Sequence, residues 1–129
     1  MRLSAPTSVA DVLDRLTILE LKLAHAPAGP ALANVTAERE ALLDCWHDAG
    51  LPDDVPERSR LSTVNQQLWN VEDDLRRHEA DGCFDDTFTE LARSVYRLND
   101  ERAAIKRAIN LRFKSTIHEE KFLPNYGRG

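Results

Sequence analysis

The sequence predicts an all-α fold, an antiparallel four-helix bundle made of two helical hairpins with a non-helical C-terminal tail. In four separate segments, apolar residues recur every three or four positions, which places them on one face of a helix. Proline and glycine interrupt the chain between these segments. No segment alternates apolar and polar residues as a half-buried strand does. The predicted elements, within a single domain of residues 1–129, are helices at about 8–26, 31–49, 58–80 and 85–113 and a tail at 115–129.

The first hairpin has recognisable ends in the sequence. Ser8 and Asp11 resemble a capping box, in which a hydroxyl and an acidic side chain three residues later bind free backbone N–H groups. Pro27 is expected to end the first helix, and Pro30 suits the first turn of the second, where a missing N–H costs little. The predicted apolar faces are Val9, Val12, Leu16, Leu19 and Leu23 on the first helix and Leu32, Val35, Leu42, Leu43 and Trp46 on the second.

The second hairpin follows the loop at residues 50–56, which we interpret as a hinge between the two halves. Short connections within each hairpin predict antiparallel neighbours. The third and fourth helices are predicted to be longer than the first two, so part of the second hairpin would extend beyond the first and expose apolar surface. Exposed apolar surface of this kind usually pairs, so we expect a homodimer.

The fourth helix carries an arginine in its apolar seam. The seam runs from Phe84 to Ile109, and Arg102 occupies the position where an apolar residue is due. Polar side chains lie beside the corresponding seams of the first and third helices. Together with polar residues of the fourth helix, they form the candidate site. Its members are Glu20, Asn65, Trp69, Glu72, Asn99, Arg102 and Lys106.

Two interpretations of this set remain open. In the first, Arg102 is buried and neutralised by Glu72 or Glu20 in a structural network, and the protein is a non-enzymatic binding or assembly module for itself or another protein. In the second, Arg102 and Lys106 bind a small anionic metabolite in a polar pocket, as in the all-helical chorismate mutase plan, which makes the protein a small enzyme or ligand-binding protein. Helix 1 lacks an arginine near Ser8, where that plan places a cation.

Other chemistry finds little support in the sequence. The four histidines are scattered and form no Glu-x-x-His pairs, so we predict no metal site and no cofactor. Neither cysteine and no serine has a histidine at a telling spacing, and there is no glycine-rich phosphate loop. The tail could dock on the bundle through Phe122 and Tyr126.

Composition narrows the functional classes further. A net charge of -5 argues against sequence-independent nucleic-acid binding, which needs a basic surface. No apolar run approaches the roughly 20 residues that span a bilayer. Cys45 and Cys83 are expected to be reduced thiols, and the N-terminus has no apolar signal region. These features predict a cytoplasmic protein.

Several strings in the chain together resemble a family of small bacterial proteins of unknown function. They are LDRLTILELKL at 13–23, LWNVED at 68–73, NDERAAIKRAIN at 99–110 and EEK at 119–121. Members of that family often lie near, or are fused to, glycosyltransferase or tetratricopeptide-repeat proteins of surface-polysaccharide gene clusters. The resemblance implies a bacterial cytosolic origin. It implies no activity and assigns no site residues.

Overall fold

The structure is a computed structural model that describes residues 1–124. Its helices are α1 (Val9–His25), α2 (Pro30–Asp48), α3 (Arg58–Asp81) and α4 (Asp86–Arg112). The described residues contain no strand. The predicted all-α class with four helices is therefore confirmed, and α3 and α4, at 24 and 27 residues, are longer than α1 and α2, at 17 and 19.

The helices begin and end where short-range chemistry favours it. The Ser8 hydroxyl oxygen accepts a hydrogen bond from the Asp11 N–H at 3.0 Å, and Asp85 caps α4 by accepting from the Phe88 N–H at 3.0 Å. Gly82 ends α3 in the left-handed conformation, with φ of 64°, which a residue without Cβ adopts easily. These caps end α3 and begin α4 on either side of a short turn.

Helix α1 is the centre of the fold. It packs against each of the other three described helices, whereas α2 packs against α1 alone. The buried surface of α1 is accordingly wider than the single predicted seam, and it includes Asp14 and Thr17. Val9 and Val12 are only half-buried. The main core joins residues of all four helices and one loop: Ala10, Leu13, Trp46, Val55, Leu61, Val64, Leu68, Ile105 and Ile109.

The loop between α2 and α3 is held firmly by side chains. Val55 and Glu57 are buried, and the indole N–H of Trp46 donates to the Pro52 carbonyl at 2.9 Å. The Glu57 carboxylate accepts several hydrogen bonds from the Arg112 guanidinium, the shortest at 2.6 Å. The loop interpreted as a hinge is therefore anchored to both α2 and the end of α4.

One end of the α3–α4 pair extends away from the core. The last buried residue of α3 is Leu68, and the first buried residue of α4 is Ile105. We call residues 70–94 the distal arm, since Val95 and Leu98 still pack against the core. Within it, the Phe88 ring contacts the Phe84 and His78 rings, with centroids 5.1 and 6.1 Å away. Every residue of the arm is half-buried or exposed.

The tail forms no helix over residues 115–124 and lies along α4. Glu119 accepts from Lys106 at 2.9 Å, and the Lys121 amine is 3.8 Å from the Asp100 carboxylate. Phe122 is 95% exposed, so the predicted docking through this ring is wrong and charged pairs make the contact instead. Tyr126 lies outside the described residues. None of the described helices is both long enough and apolar enough to cross a membrane.

Candidate functional site

Arg102 is neutralised by a buried aspartate of α1. Asp14 is 3% exposed, and its Oδ1 accepts from Arg102 Nε at 3.0 Å while its Oδ2 accepts from Arg102 Nη2. The two contacts form the paired arrangement in which a guanidinium matches a carboxylate best. Hydrogen bonding to Asp14 raises the pKa of Arg102 above its ordinary value. The charge therefore stays fixed at this position.

Two further buried polar groups complete what we call the Asp14 cluster, namely Asp14, Thr17, Asn65 and Arg102. The Asn65 amide donates at 2.9 Å to both Asp14 Oδ1 and the Thr17 hydroxyl oxygen. The Thr17 hydroxyl donates in turn to the Asp14 backbone carbonyl at 2.7 Å. The cluster ties α1, α3 and α4 together through three buried side chains and the half-buried Arg102.

A second cation lies one helical turn further along α4. The Lys106 amine is 2.8 Å from the Asp11 carboxylate and 2.9 Å from that of Glu119. Burial acts to lower the pKa of Lys106, but its hydrogen bonds to Asp11 and Glu119 outweigh this and raise the pKa. Burial likewise acts to raise the pKa of Asp11, yet Lys106 brings it below its ordinary value. Both predicted anion-binding cations are thus already paired with carboxylates.

The predicted partners of Arg102 are wrong. Glu72 is exposed, and Glu20 binds Arg58 and lies 3.6 Å from the Arg39 guanidinium. Asp14 takes the role because α1 also packs against α3 and α4 on the side of the helix that carries this residue. The sequence pattern placed Asp14 outside the apolar seam.

Two other predicted site residues lie apart from the Asp14 cluster. The Trp69 ring stacks on His25, with centroids 4.6 Å apart, and its buried indole N–H meets no acceptor in the described chain. Asn99 is half-buried and forms no hydrogen bond with other described residues through its side chain. Of the seven predicted residues, the structure joins Asn65 and Arg102, with Lys106 next to them.

Sequence reasoning missed the polar groups that hold the start of α1. The Asn110 side chain, 3% exposed, accepts from the Ala10 N–H at 2.9 Å, and the Ser115 hydroxyl oxygen accepts from the Val9 N–H at 3.4 Å. With Ser8, three side chains satisfy three free N–H groups of this helix end. The one available signal was the spacing of Asn110 from Asn99 and Lys106, which places the three polar residues on one stripe of α4.

The chemistry open to the Asp14 cluster is limited. The Asp14 carboxylate already accepts hydrogen bonds on both oxygens, so it is poorly placed to take a proton from a substrate. The Thr17 hydroxyl donates to a backbone carbonyl and has no base beside it in the cluster. The arrangement can neutralise charge and set the register of three helices.

A cavity of about 560 Å³ lies between α4 and the tail, next to the Asp14 cluster. Its cations include Lys106, Arg107 and Lys121, and its acids include Glu119 and Asp100. Lys106 and Lys121 are paired with these acids. The cavity is therefore of mixed charge rather than a basic pocket.

Comparison with known proteins identifies a family and no activity. Residues 3–125 match the model of a family of unknown function, DUF6165. No curated protein and no solved structure matched the chain. Since the family model covers nearly the whole sequence, the protein belongs to the DUF6165 family.

Proposed function

We propose that the protein is a non-enzymatic assembly module, built of two antiparallel helical hairpins, that forms a homodimer through its distal arm. The observation that carries the proposal is the lack of any buried residue on α3 after Leu68 and on α4 before Ile105. Apolar residues nevertheless continue along both helices at helical spacing. In the arm they are Val71, Leu75, Phe88 and Leu91.

A second copy of the arm is the partner that suits this surface best. In the arm, α3 and α4 pair so that His78 is near Phe88, while Glu57 meets Arg112 at the other end of the two helices. This order supports the antiparallel arrangement. Two antiparallel hairpins that each lack a second layer can complete one another as a four-helix bundle around a twofold axis. The arm carries acids and arginines together, so a second copy also brings opposite charges.

The Asp14 cluster has a structural part in this proposal. It holds α1 against α3 and α4, and it leaves the distal arm as the part of that hairpin with no α1 layer. Because Arg102 and Lys106 are paired with carboxylates, an anion would have to displace Asp14, Asp11 or Glu119 to reach them. This favours assembly over anion binding.

Sedimentation equilibrium of the purified chain tests the proposal. We expect a dimer at micromolar concentrations, and we expect Leu91→Glu to be monomeric because it places a charge in the apolar seam of the arm. Thr89→Glu is the matched control, since it adds the same charge at an exposed position of the same helix. Circular dichroism verifies that both variants keep their helix content.

Two outcomes would overturn the homodimer. One is a wild-type monomer at 100 μM, roughly the concentration at which even a weak specific dimer forms. The other is equal dimerisation of Leu91→Glu and Thr89→Glu. If the protein is a monomer but binds a different protein through the arm, the result supports an assembly module and rejects the homodimer.

The anion alternative rests on the cavity beside the tail, where Arg107 is exposed and has no ion pair among the described residues. A thermal-shift panel of phosphate, citrate and malonate tests it. Stabilisation of the wild type by one of these anions, lost in Arg107→Ala, would favour ligand binding. An unchanged melting temperature throughout would reject it.

A further inference from the structure

The turn between α3 and α4 brings together three side chains with metal-binding atoms. His78 is in the last turn of α3, Cys83 follows the left-handed Gly82, and Asp85 caps α4. One ligand atom from each of the three side chains lies within 4.8 Å of the others. Imidazole, thiolate and carboxylate are all ligands of zinc in proteins.

The distances within this set suit a tetrahedral ion. Cys83 Sγ is 3.5 Å from Asp85 Oδ2. Zinc bonds of about 2.3 Å to sulfur and about 2.0 Å to oxygen, at a tetrahedral angle, separate the two atoms by about 3.5 Å. His78 Nδ1 lies 3.7 Å from Asp85 Oδ1, and one ligand atom of each side chain lies within 4.8 Å of the other two.

The backbone leaves Asp85 Oδ2 and Cys83 Sγ available, whereas His78 Nδ1 lies 3.0 Å from the Cys83 carbonyl oxygen. Asp85 uses Oδ1 to cap α4 through the Phe88 N–H, which fixes the carboxylate and leaves Oδ2 directed at Cys83. Cys83 is exposed, so the sulfur is accessible to an ion from solvent. His78 is 21% exposed and its ring contacts Phe88, which restricts its orientation. A partly fixed ligand set loses less entropy when it binds an ion.

The surroundings are acidic. A cavity of about 310 Å³ adjoins the three side chains, and Asp81 and Asp74 line it. Arg77 pairs with Asp74 at 2.6 Å, whereas Asp81 has no ion pair among the described residues. An uncompensated carboxylate near the ligand set attracts a cation.

We propose that His78, Cys83 and Asp85 form a zinc site at the tip of the distal arm. The fourth position of the ion faces the cavity, where a water molecule completes the tetrahedron. Without the ion, the Cys83 S–H donates a hydrogen bond to Asp85, and the His78 Nδ1–H donates one to the Cys83 carbonyl oxygen. On binding, the thiol releases its proton to solvent, and the imidazole proton resides on Nε2 while Nδ1 binds the ion.

The three ligands do not match a helical metal-binding motif, because they do not share one face of a helix. They are five and two residues apart and surround a glycine turn. The prediction of no metal site was based on the lack of Glu-x-x-His pairs, which are the ligands of two-metal sites inside four-helix bundles. The inference does not depend on the homodimer.

Cobalt titration of the purified full chain tests the zinc site. We expect one equivalent of Co²⁺ to produce a thiolate-to-metal absorption band in the near ultraviolet, and Zn²⁺ to abolish it by displacement. Cys83→Ser and His78→Ala are expected to weaken Zn²⁺ binding at least about tenfold, as measured by competition with a chromophoric chelator. Cys45→Ser is the matched control, because Cys45 is also an exposed free thiol.

Three results would overturn the site. They are the lack of a thiolate band in the wild type, undiminished Zn²⁺ affinity in Cys83→Ser, and equal loss of affinity in Cys45→Ser. Asp85→Asn removes the charge but retains an oxygen that can cap α4. We expect this variant to lose Zn²⁺ affinity while its melting temperature stays unchanged, which separates metal coordination from folding.

Discussion

Asp14 is the residue on which the polar interior depends. It is an acidic side chain with 3% exposure, and such a group is stable only when its partners remain in place. Arg102 neutralises it and Asn65 supplies a further hydrogen bond. The cluster therefore acts as a unit, and the loss of one partner leaves the others poorly satisfied.

We expect Arg102→Ala to lower the free energy of unfolding by roughly 3–5 kcal/mol, because it leaves Asp14 buried without its counter-charge. Urea unfolding followed by circular dichroism measures the change. Arg107→Ala is the matched control, since it removes an exposed arginine from the same helix and should alter stability by less than about 0.5 kcal/mol. A similar small change in both variants would contradict the role given to Asp14.

The same pair can be tested by a double-mutant cycle. Asp14→Asn in combination with Arg102→Ala is expected to cost less than the sum of the two single substitutions, because the neutral amide does not need the guanidinium. Strict additivity would mean that the two side chains act independently.

Helix α1 is the element whose start depends most on the rest of the fold. Asn110 and Ser115 are distant in sequence, yet they accept hydrogen bonds from its first turn. The local cap from Ser8 alone would leave the Ala10 N–H buried without a partner. The end of α4 and the first residues of the tail thus stabilise the opposite end of the chain.

Asn110→Ala is expected to destabilise the protein by about 1–2 kcal/mol, because the buried Ala10 N–H loses its acceptor. Chemical denaturation gives the magnitude, and faster amide hydrogen exchange in the first turn of α1 gives the location. Asn110→Asp should recover part of the loss because it keeps the acceptor oxygen. Asn70→Ala, at an exposed position of α3, is the control and should have little effect. Unchanged exchange at Ala10 would contradict the cap.

The molecule as a whole is joined by ion pairs that titrate in acid. Hydrogen bonding to Arg112 holds the pKa of Glu57 below its ordinary value of 4.5, and Lys106 holds that of Asp11 below 3.8 despite burial, which acts to raise it. A carboxyl with a depressed pKa in the folded state binds protons more readily when the chain is unfolded. These groups therefore stabilise the fold above their ordinary pKa values and lose that contribution as the pH falls through the folded values.

We expect the melting temperature to fall as the pH is lowered below about 4.5, the ordinary pKa of Glu57. Glu57→Gln should be less stable than the wild type at pH 7 but should lose less on acidification, because one linked proton is missing. Calorimetry at several pH values measures both curves. Parallel curves for the two proteins would contradict the assignment to Glu57.

Much of the fold follows from local patterns that need no tertiary information. Three-and-four spacing of apolar residues predicted the helices, since a helix must bury one face, and Ser8 and Gly82 mark ends that depend on neighbouring backbone groups. The sequence likewise predicted that α3 and α4 are longer than α1 and α2. The same periodicity identified Arg102 as a charged residue at a position of the seam where an apolar residue is expected.

Only the tertiary structure decided which side chains meet. Asp14 was not singled out because periodicity defines one seam per helix, whereas α1 contacts three helices and buries more than one stripe. The pairing of Glu57 with Arg112 and of Ala10 with Asn110 depends on contacts between residues 55 and 100 positions apart. The sequence by itself determined the helices and the arginine in the seam. The packing of α1 between its neighbours determined that Asp14 neutralises this arginine, because a buried charge pairs with the carboxylate that the fold brings within reach.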